Sequence, residues 1–392
     1  MKITFVTSHL TLFGGGGKVV MDFSNELIEK GYEINVVAQK IDQEKYLFKK
    51  GINLIEVGGP LPSNPIHWLK LKSLKKRYYD ILNNLNSELI ISLNFPANYF
   101  CMDIKKDKNV KTIYYCLEPY RFFHDKKFYS NASFTLRIIT QFLRLFYKKY
   151  DIKGALAADE VVCISNFTKK RVKEIYGREG YLHYIGVDIE KDADNNEDFD
   201  INKTLNLKKD TPIIFTLGLS HHMKGVKEMM LIFKKILRQI PETVLLIGGS
   251  LIKKTEILIK KLIKKLQIPL KNVILYGFIE KLRNFYEKST LTFYTAIDEP
   301  YGLIPLESMR YGTPVIAFEG GPSETILDGQ TGYTILNHNL DEFAKRAIEL
   351  IKNKKLFDSF SKKAIEHVKM NFDLQTSVSK LEAIFRKILS QK

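Results

Sequence analysis

Residues 2–39 read "KITFVTSHLTLFGGGGKVVMDFSNELIEKGYEINVVAQ". The opening "KITFVTS" is an apolar run of strand length, and four consecutive glycines, Gly14 to Gly17, follow it. "VVMDFSNELIEKG" then places its apolar residues at helical spacing and stops at Gly31, a residue that can take the left-handed backbone of a helix end. "EINVVAQ" returns to strand character. Strand, glycine loop, helix and strand in so few residues form the repeating unit of a parallel sheet covered by helices.

The same rhythm continues outward through "LIISLN", "KTIYYCL" and "EVVCIS". It breaks at "EKDADNNEDFDINKTLNLKKD" (190–210), which is polar and poor in aliphatic residues, as a linker would be. Asp192 and Asp194 there resemble the start of a calcium loop, but Glu197 stands where the sharp turn of that loop needs glycine, so a solvated linker is expected. Beyond it, "PIIFTLG", "TVLLIGG", "VILYG", "LTFYTAI" and "PVIAF" repeat the alternation, and "TSVSKLEAIFRKILS" is a terminal amphipathic helix. The expectation is an α/β chain of two doubly wound parallel-sheet domains, 1–190 and 209–372, with a linker at 191–208. The helix at about 373–392 is expected to pack back on the first domain. Ligands of such sheets bind beyond the carboxyl ends of the strands, and the site is expected in the cleft between the two domains.

A length of 392 residues suits two cores, and 45% hydrophobic with 27% charged residues is a globular composition. The start "MKITFVTSHL" is too short an apolar run for a signal peptide, and no run is long enough to span a bilayer. Cys101, Cys116 and Cys163 have no disulfide or metal spacing, so a cytoplasmic setting is expected. The net charge of +17 has no nucleic-acid motif beside it. Two segments concentrate it: "HWLKLKSLKKRYYDIL", with Lys70 to Arg77, and "TLRIITQFLRLFYKKYDIK", with Arg137, Arg144, Lys148 and Lys149. Each fits either a basic amphipathic helix on the inner, anionic face of a membrane or a solvated helix back over a core.

Several loops can carry chemistry. "FGGGGKVV" lacks the Walker pattern, having Leu12 and Val19 at key positions, and lacks the third glycine of a dinucleotide fingerprint. It keeps a glycine run that lets backbone amides approach an anion at a helix start. "GLSHHMKG", from Gly218, puts Lys224 on a loop after a strand, where it can meet a diphosphate. His221 and His222 have no third metal ligand spaced with them. "AFEGGPSET" offers a further glycine loop, with Ser323 as a helix N-cap. In "DEPYGLIPLESMRYG", Glu299 and Glu307 stand either side of Gly302, one on a loop and one on a short helix. A glycosidase pair would account for the carboxylates alone. A nucleotide sugar accounts also for the lysine and glycine loops, since a diphosphate needs cations and amides while hydroxyls need acceptors.

These motifs resemble the retaining GT-B glycosyltransferases of glycosyltransferase family 4, whose two Rossmann-like domains face across a cleft. The E-x₇-E signature stands as Glu299 to Glu307 in "EPYGLIPLESMRYGTPVIA", with "GGPSETILDGQTGY" after it and "ADEVVCISNFTKKRVKEIYG" and "YIGVD" before it. The resemblance implies that Glu307 holds the ribose hydroxyls of a nucleotide-sugar donor. Glu299 would bind hydroxyls of the hexose, with the amides near Gly302 and Leu303 at the sugar and diphosphate. Lys224 would stabilise the departing diphosphate, assisted by the Gly15–Gly16 loop, with no metal and no cofactor. The acceptor implied is a glycan or lipid-linked glycan. Two positions depart from the family pattern. Leu219 replaces an arginine that shares the diphosphate, and Leu117, in "YYCLEPYRFF", replaces a histidine that reaches the transferring sugar. Glu118, Arg121 and His124 are candidates to take over, Glu118 as a catalytic residue and Arg121 and His124 on the acceptor side, and a silent member acting as scaffold for an active partner is the alternative.

Overall fold

The computed structural model describes residues 1–11, 14–104, 110–125, 134–190, 201–219, 222–249, 251–279 and 281–390, with the backbone alone at 134–137, 139–140 and 222. It divides into two compact units, Met1–Ile185 with Leu374–Lys392, and Gly186–Asp373.

Unit 1 is built on seven parallel strands: β1 Lys2–Val6, β2 Glu33–Ala38, β3 Asn53–Glu56, β4 Leu89–Leu93, β5 Lys111–Cys116, β6 Glu160–Cys163 and β7 Tyr181–Leu182. Their order is β3-β2-β1-β4-β5-β6-β7. Strand β4 is buried at every position, as a strand covered by helices on both faces must be. The strand order reverses between β1 and β4, so the loops after these two strands part there and open a crevice. The helix Gly15–Glu29 fills the crossover from β1 to β2, burying Val19, Val20, Phe23 and Leu27. Gly31 takes φ +83° two residues past its end.

Unit 2 repeats the plan with β8 Ile213–Thr216, β9 Val244–Gly248, β10 Val273–Gly277, β11 Leu291–Tyr294, β12 Val315–Phe318 and β13 Gly332–Ile335. All run parallel in the order β10-β9-β8-β11-β12-β13. Here the reversal falls between β8 and β11.

The helix Leu374–Ser390 belongs to unit 1. Glu382 on it pairs with Lys30 at 2.9 Å and accepts the Tyr32 hydroxyl at 2.7 Å. The linker reading of 191–208 is only half accessible, since 191–200 lie outside the described residues, as do Asp192, Asp194 and Glu197. Ile201, on the helical turn Ile201–Thr204, is buried, and Leu205 and Leu207 pack on the same cluster. The apolar side chains of the second part therefore pack on unit 2, while Lys203, Thr204, Asn206 and residues 208–210 are exposed.

The two basic segments part company. Leu71, Leu74 and Tyr78 are buried in the unit 1 core and Trp68 packs against it, so the first segment is a solvated helix back. The helix Phe134–Ala157 keeps exposed apolar residues. No described helix is long and apolar enough to cross a membrane. The three cysteines are free and buried.

Candidate active site

In unit 2 three loops meet at the carboxyl ends of neighbouring strands β8, β11 and β12. The first carries Gly218 (φ +73°), the turn His222–Lys224, and Gly225 (φ +68°), which starts the helix Val226–Leu237. A Cβ on Gly225 would stand 1.9 Å from the Thr295 carbonyl oxygen, so only glycine lets this turn lie on the loop after β11. That contact is stapled by Thr295 Oγ1 donating to the Lys224 carbonyl at 3.0 Å and by the Ile297 amide donating to the Met223 carbonyl at 2.9 Å. The third loop is tied on by the Gly321 amide, which donates to the Glu299 carbonyl at 2.8 Å.

These constraints bring Lys224 Nζ to 3.0 Å from Glu299 Oε2, with both side chains mostly buried. The ammonium also lies 5.8 Å from the centre of the Tyr294 ring. Gly302 (φ +94°) caps the helix Leu303–Arg310 without a side-chain hydrogen bond, so backbone amides head that helix. Glu307 stands four residues after Leu303, on the same helix face, and is half-buried. Burial first, and the Glu307 charge second, hold the Tyr286 phenol well above its ordinary value. Ser323 is not an N-cap: it lies third in the short helix Gly321–Glu324, and its hydroxyl accepts from the Gly320 amide at 3.4 Å. His221 lies outside the described residues, and among the described residues no cluster of three or more histidine, cysteine or acidic side chains is set to hold a metal.

In unit 1 the Gly14 to Gly17 run starts its helix with no side-chain cap. Gly14 and Gly15 are exposed, and the glycines also make room for neighbours. A Cβ on Gly17 would meet the Tyr46 hydroxyl at 2.2 Å, and one on Gly16 would meet Leu117 Cδ1 at 3.0 Å. Asn94 (φ +55°), after β4, accepts the amides of Leu117 and Glu118 at 3.0 and 3.4 Å, which holds the loop after β5. Glu118 pairs with Arg121 and lies 3.6 Å from Arg171. Asn94 and Arg171 lie in stretches read from the sequence but are not singled out there, and neither is Tyr46, because each acts through a contact far along the chain.

His124 is corrected as an acceptor-side candidate. Its side chain is 1% exposed and its Nε2 lies 2.7 Å from Asp151 Oδ2. Asp151 also accepts the Tyr176 hydroxyl at 2.7 Å and the Asn98 amide at 3.0 Å. Burial and the Asp151 charge hold the Tyr176 phenol well above its ordinary value. This is a closed structural network around a buried carboxylate.

Comparison with known proteins follows the same division. The family described as "Glycosyl transferases group 1" matches residues 197–367, and "Glycosyltransferase Family 4" matches residues 13–191.

The chain belongs to the group 1 glycosyltransferases of the family 4 type.

Alpha-1,3/1,6-mannosyltransferase ALG2 of Candida glabrata is 26% identical to this family 4 chain, over 93% of it and 91% of that relative. N-acetyl-alpha-D-glucosaminyl L-malate synthase of Bacillus anthracis is 27% identical over 48% of this chain and 49% of its own length. A Staphylococcus aureus poly(ribitol-phosphate) alpha-N-acetylglucosaminyltransferase is 32% identical over 29% of this chain and 24% of its own. The chain thus spans half or less of the length of these last two. Among solved structures, sucrose-phosphate synthase from Thermosynechococcus elongatus superposes with TM-score 0.81 at 17% identity over the whole of both chains. Anabaena HepE, solved with UDP and glucose, gives 0.74 at 16%, over 99% of this chain and 100% of that one. These likenesses establish the GT-B fold.

The two departures of this family 4 chain now have places. Leu219 is 3% exposed and packs in the core beneath the Lys224 loop, with Ile214, Val226 and Met230. Leu117 lies against the Gly16 backbone, so its apolar side chain covers the glycine loop where the family pattern has an imidazole.

Proposed function

We propose that this chain moves a hexose from a nucleotide-diphosphate sugar to a glycan or lipid-linked acceptor, with retention of anomeric configuration and without a metal. The observation that carries the reading is the Lys224–Glu299 pair, 3.0 Å apart at the strand-order reversal of unit 2 beside the amide-headed helix Leu303–Arg310. A departing nucleoside diphosphate gains charge as the glycosidic bond breaks, and Lys224 with the amides at Gly302 and Leu303 supplies positive potential for it. Glu299 both holds that ammonium and offers an acceptor to a sugar hydroxyl. Glu307 is assigned the ribose hydroxyls. The amides at Gly15 and Gly16 suit an anion on the same grounds, and Gly218 lets its loop approach the head of that helix. Glu118, with Arg121 and Arg171 beside it, is assigned a catalytic part, and Arg121 the acceptor side. The names of the relatives, all sugar-transferring or sugar-joining, and the UDP and glucose bound by HepE support the donor class.

The test is a thermal-shift panel of nucleoside diphosphates and their hexose conjugates, followed by mass-spectrometric detection of product on lipid-linked and free acceptors. Stabilisation by one diphosphate, lost in Lys224→Ala, is expected, together with transfer. Absence of any nucleotide effect overturns the reading. Binding without transfer, relieved only by an added partner, would instead mark a silent member.

A further inference from the structure

Tyr286, on the short helix Leu282–Glu287, is fully buried, and among the described residues its phenol oxygen has no hydrogen-bond partner. The ring is fixed on two sides. It meets Phe215 edge-on at 5.1 Å and stacks on Tyr311 at 5.9 Å, with 19° between the planes. The core cluster it belongs to, with Ile213, Leu246 and Ile279, is apolar. A buried hydroxyl without a partner is costly, and folded proteins keep few of them, so each needs a reason.

The contacts around it lead to Glu307. Thr313 Oγ1 donates to the Tyr286 carbonyl, and the Ser308 hydroxyl donates to the Thr313 carbonyl at 2.9 Å. Tyr311, which carries the stacked ring and ends the helix Leu303–Arg310, follows Glu307 by four residues and so lies one turn along the same helix face. Burial, and then the Glu307 charge, keeps the Tyr286 phenol protonated, so it stays a donor.

We propose that Tyr286 is a positioning residue for the ribose of the donor: with a ribonucleotide bound, its hydroxyl donates to the Glu307 carboxylate and fixes the rotamer that accepts the 2′- and 3′-hydroxyls. The proposal rests on the assignment of Glu307 to the ribose. A carboxylate has about four lone-pair sites, so a bond to the phenol leaves room for both ribose hydroxyls. The phenol is neutral and leaves the carboxylate its charge, which strengthens each hydroxyl bond made to it.

Isothermal titration calorimetry of the full chain with UDP, GDP, ADP and CDP, each against its 2′-deoxy counterpart, tests it. The wild-type protein is expected to bind the preferred ribonucleotide roughly tenfold or more tighter than the deoxy form, as a hydrogen bond to a charged group implies. Tyr286→Phe keeps the ring contacts and is expected to shrink that ratio to about threefold or less, chiefly by weakening the ribonucleotide. Glu307→Ala is expected to abolish the ratio. Tyr286→Phe also keeps or raises the unfolding midpoint, because it removes a buried hydroxyl that has no partner. An unchanged ratio in Tyr286→Phe, with the ratio lost in Glu307→Ala, overturns the proposal and leaves the ribose assignment standing. No nucleotide binding, no preference for ribose in the wild type, or a preference that survives Glu307→Ala overturns the assignment and the proposal with it. A fall in affinity for both forms alike, together with a lower unfolding midpoint, marks Tyr286 as a core ring alone and overturns the proposal too.

Discussion

Acid should weaken unit 1 through His183, and the size of the effect follows from its surroundings. The side chain is 2% exposed beneath the C-terminal helix. Its Nε2 lies 2.8 Å from the Ser377 carbonyl, which can only accept, so Nε2 carries the proton. The lone pair of Nδ1 then takes the Tyr115 hydroxyl at 2.7 Å. A second proton, on Nδ1, would reverse that bond and leave the buried Tyr115 hydroxyl hydrogen without it. Burial first, with Lys380 adding to it and the Ser377 carbonyl opposing, lowers the imidazole from its ordinary 6.5 to about 4. Between those values the unfolded chain binds a proton that the folded chain refuses, so stability rises with pH across the window. The contribution is whole above pH 6.5 and is lost as pH falls toward about 4. At ~1.4 kcal/mol per pH unit the loss is about 3.5 kcal/mol. Urea unfolding followed by tryptophan fluorescence reads this directly, because Trp68, the one tryptophan of the chain, lies in unit 1. His183→Gln removes the titration. His9, His67 and His367 are lowered by burial too and tilt both proteins alike, so the difference in slope isolates His183. Stability curves that run parallel from pH 4.5 to 7 in wild type and variant (roughly the window the two values define) would refute the reasoning.

Lys224→Ala and Glu299→Gln should each lower kcat on the order of 10²–10³-fold, and the double variant should cost far less than the product, because each side chain holds the other. A double-mutant cycle on product formation checks this. Gly225→Ala should cost roughly 3 kcal/mol or more of unit 2 stability, since the new Cβ meets the Thr295 carbonyl at 1.9 Å. Gly31→Ala, with φ +83° and nothing within 4 Å, should cost only about 1 kcal/mol, and thermal unfolding compares the two. Leu219→Arg, which restores the family residue, should destabilise unit 2 by roughly 3 kcal/mol or more and leave turnover no faster, because the position is core. His124→Gln should lower the unfolding midpoint and leave KM for acceptor unchanged in a steady-state assay.

The sequence by itself determined the alternation of strands and helices, because parallel strands buried on both faces are continuously apolar and glycine at their ends marks where the chain turns. It passed over β3, β7 and β13, and each is outermost in its sheet, where one neighbour suffices and a long apolar run is not required. It singled out Glu299, Gly302 and Glu307, whose spacing is local, and Lys224 in a glycine loop of its own. Only the tertiary structure decided what the remaining side chains face. It set Lys224 against Glu299 across 75 residues and closed His124 into a buried network around Asp151. It turned Leu219 into the core, and sent one basic segment inward while leaving the phenylalanines of the other outside. Periodicity states that a helix has two faces. Which of them meets protein depends on the neighbours that folding brings from elsewhere in the chain.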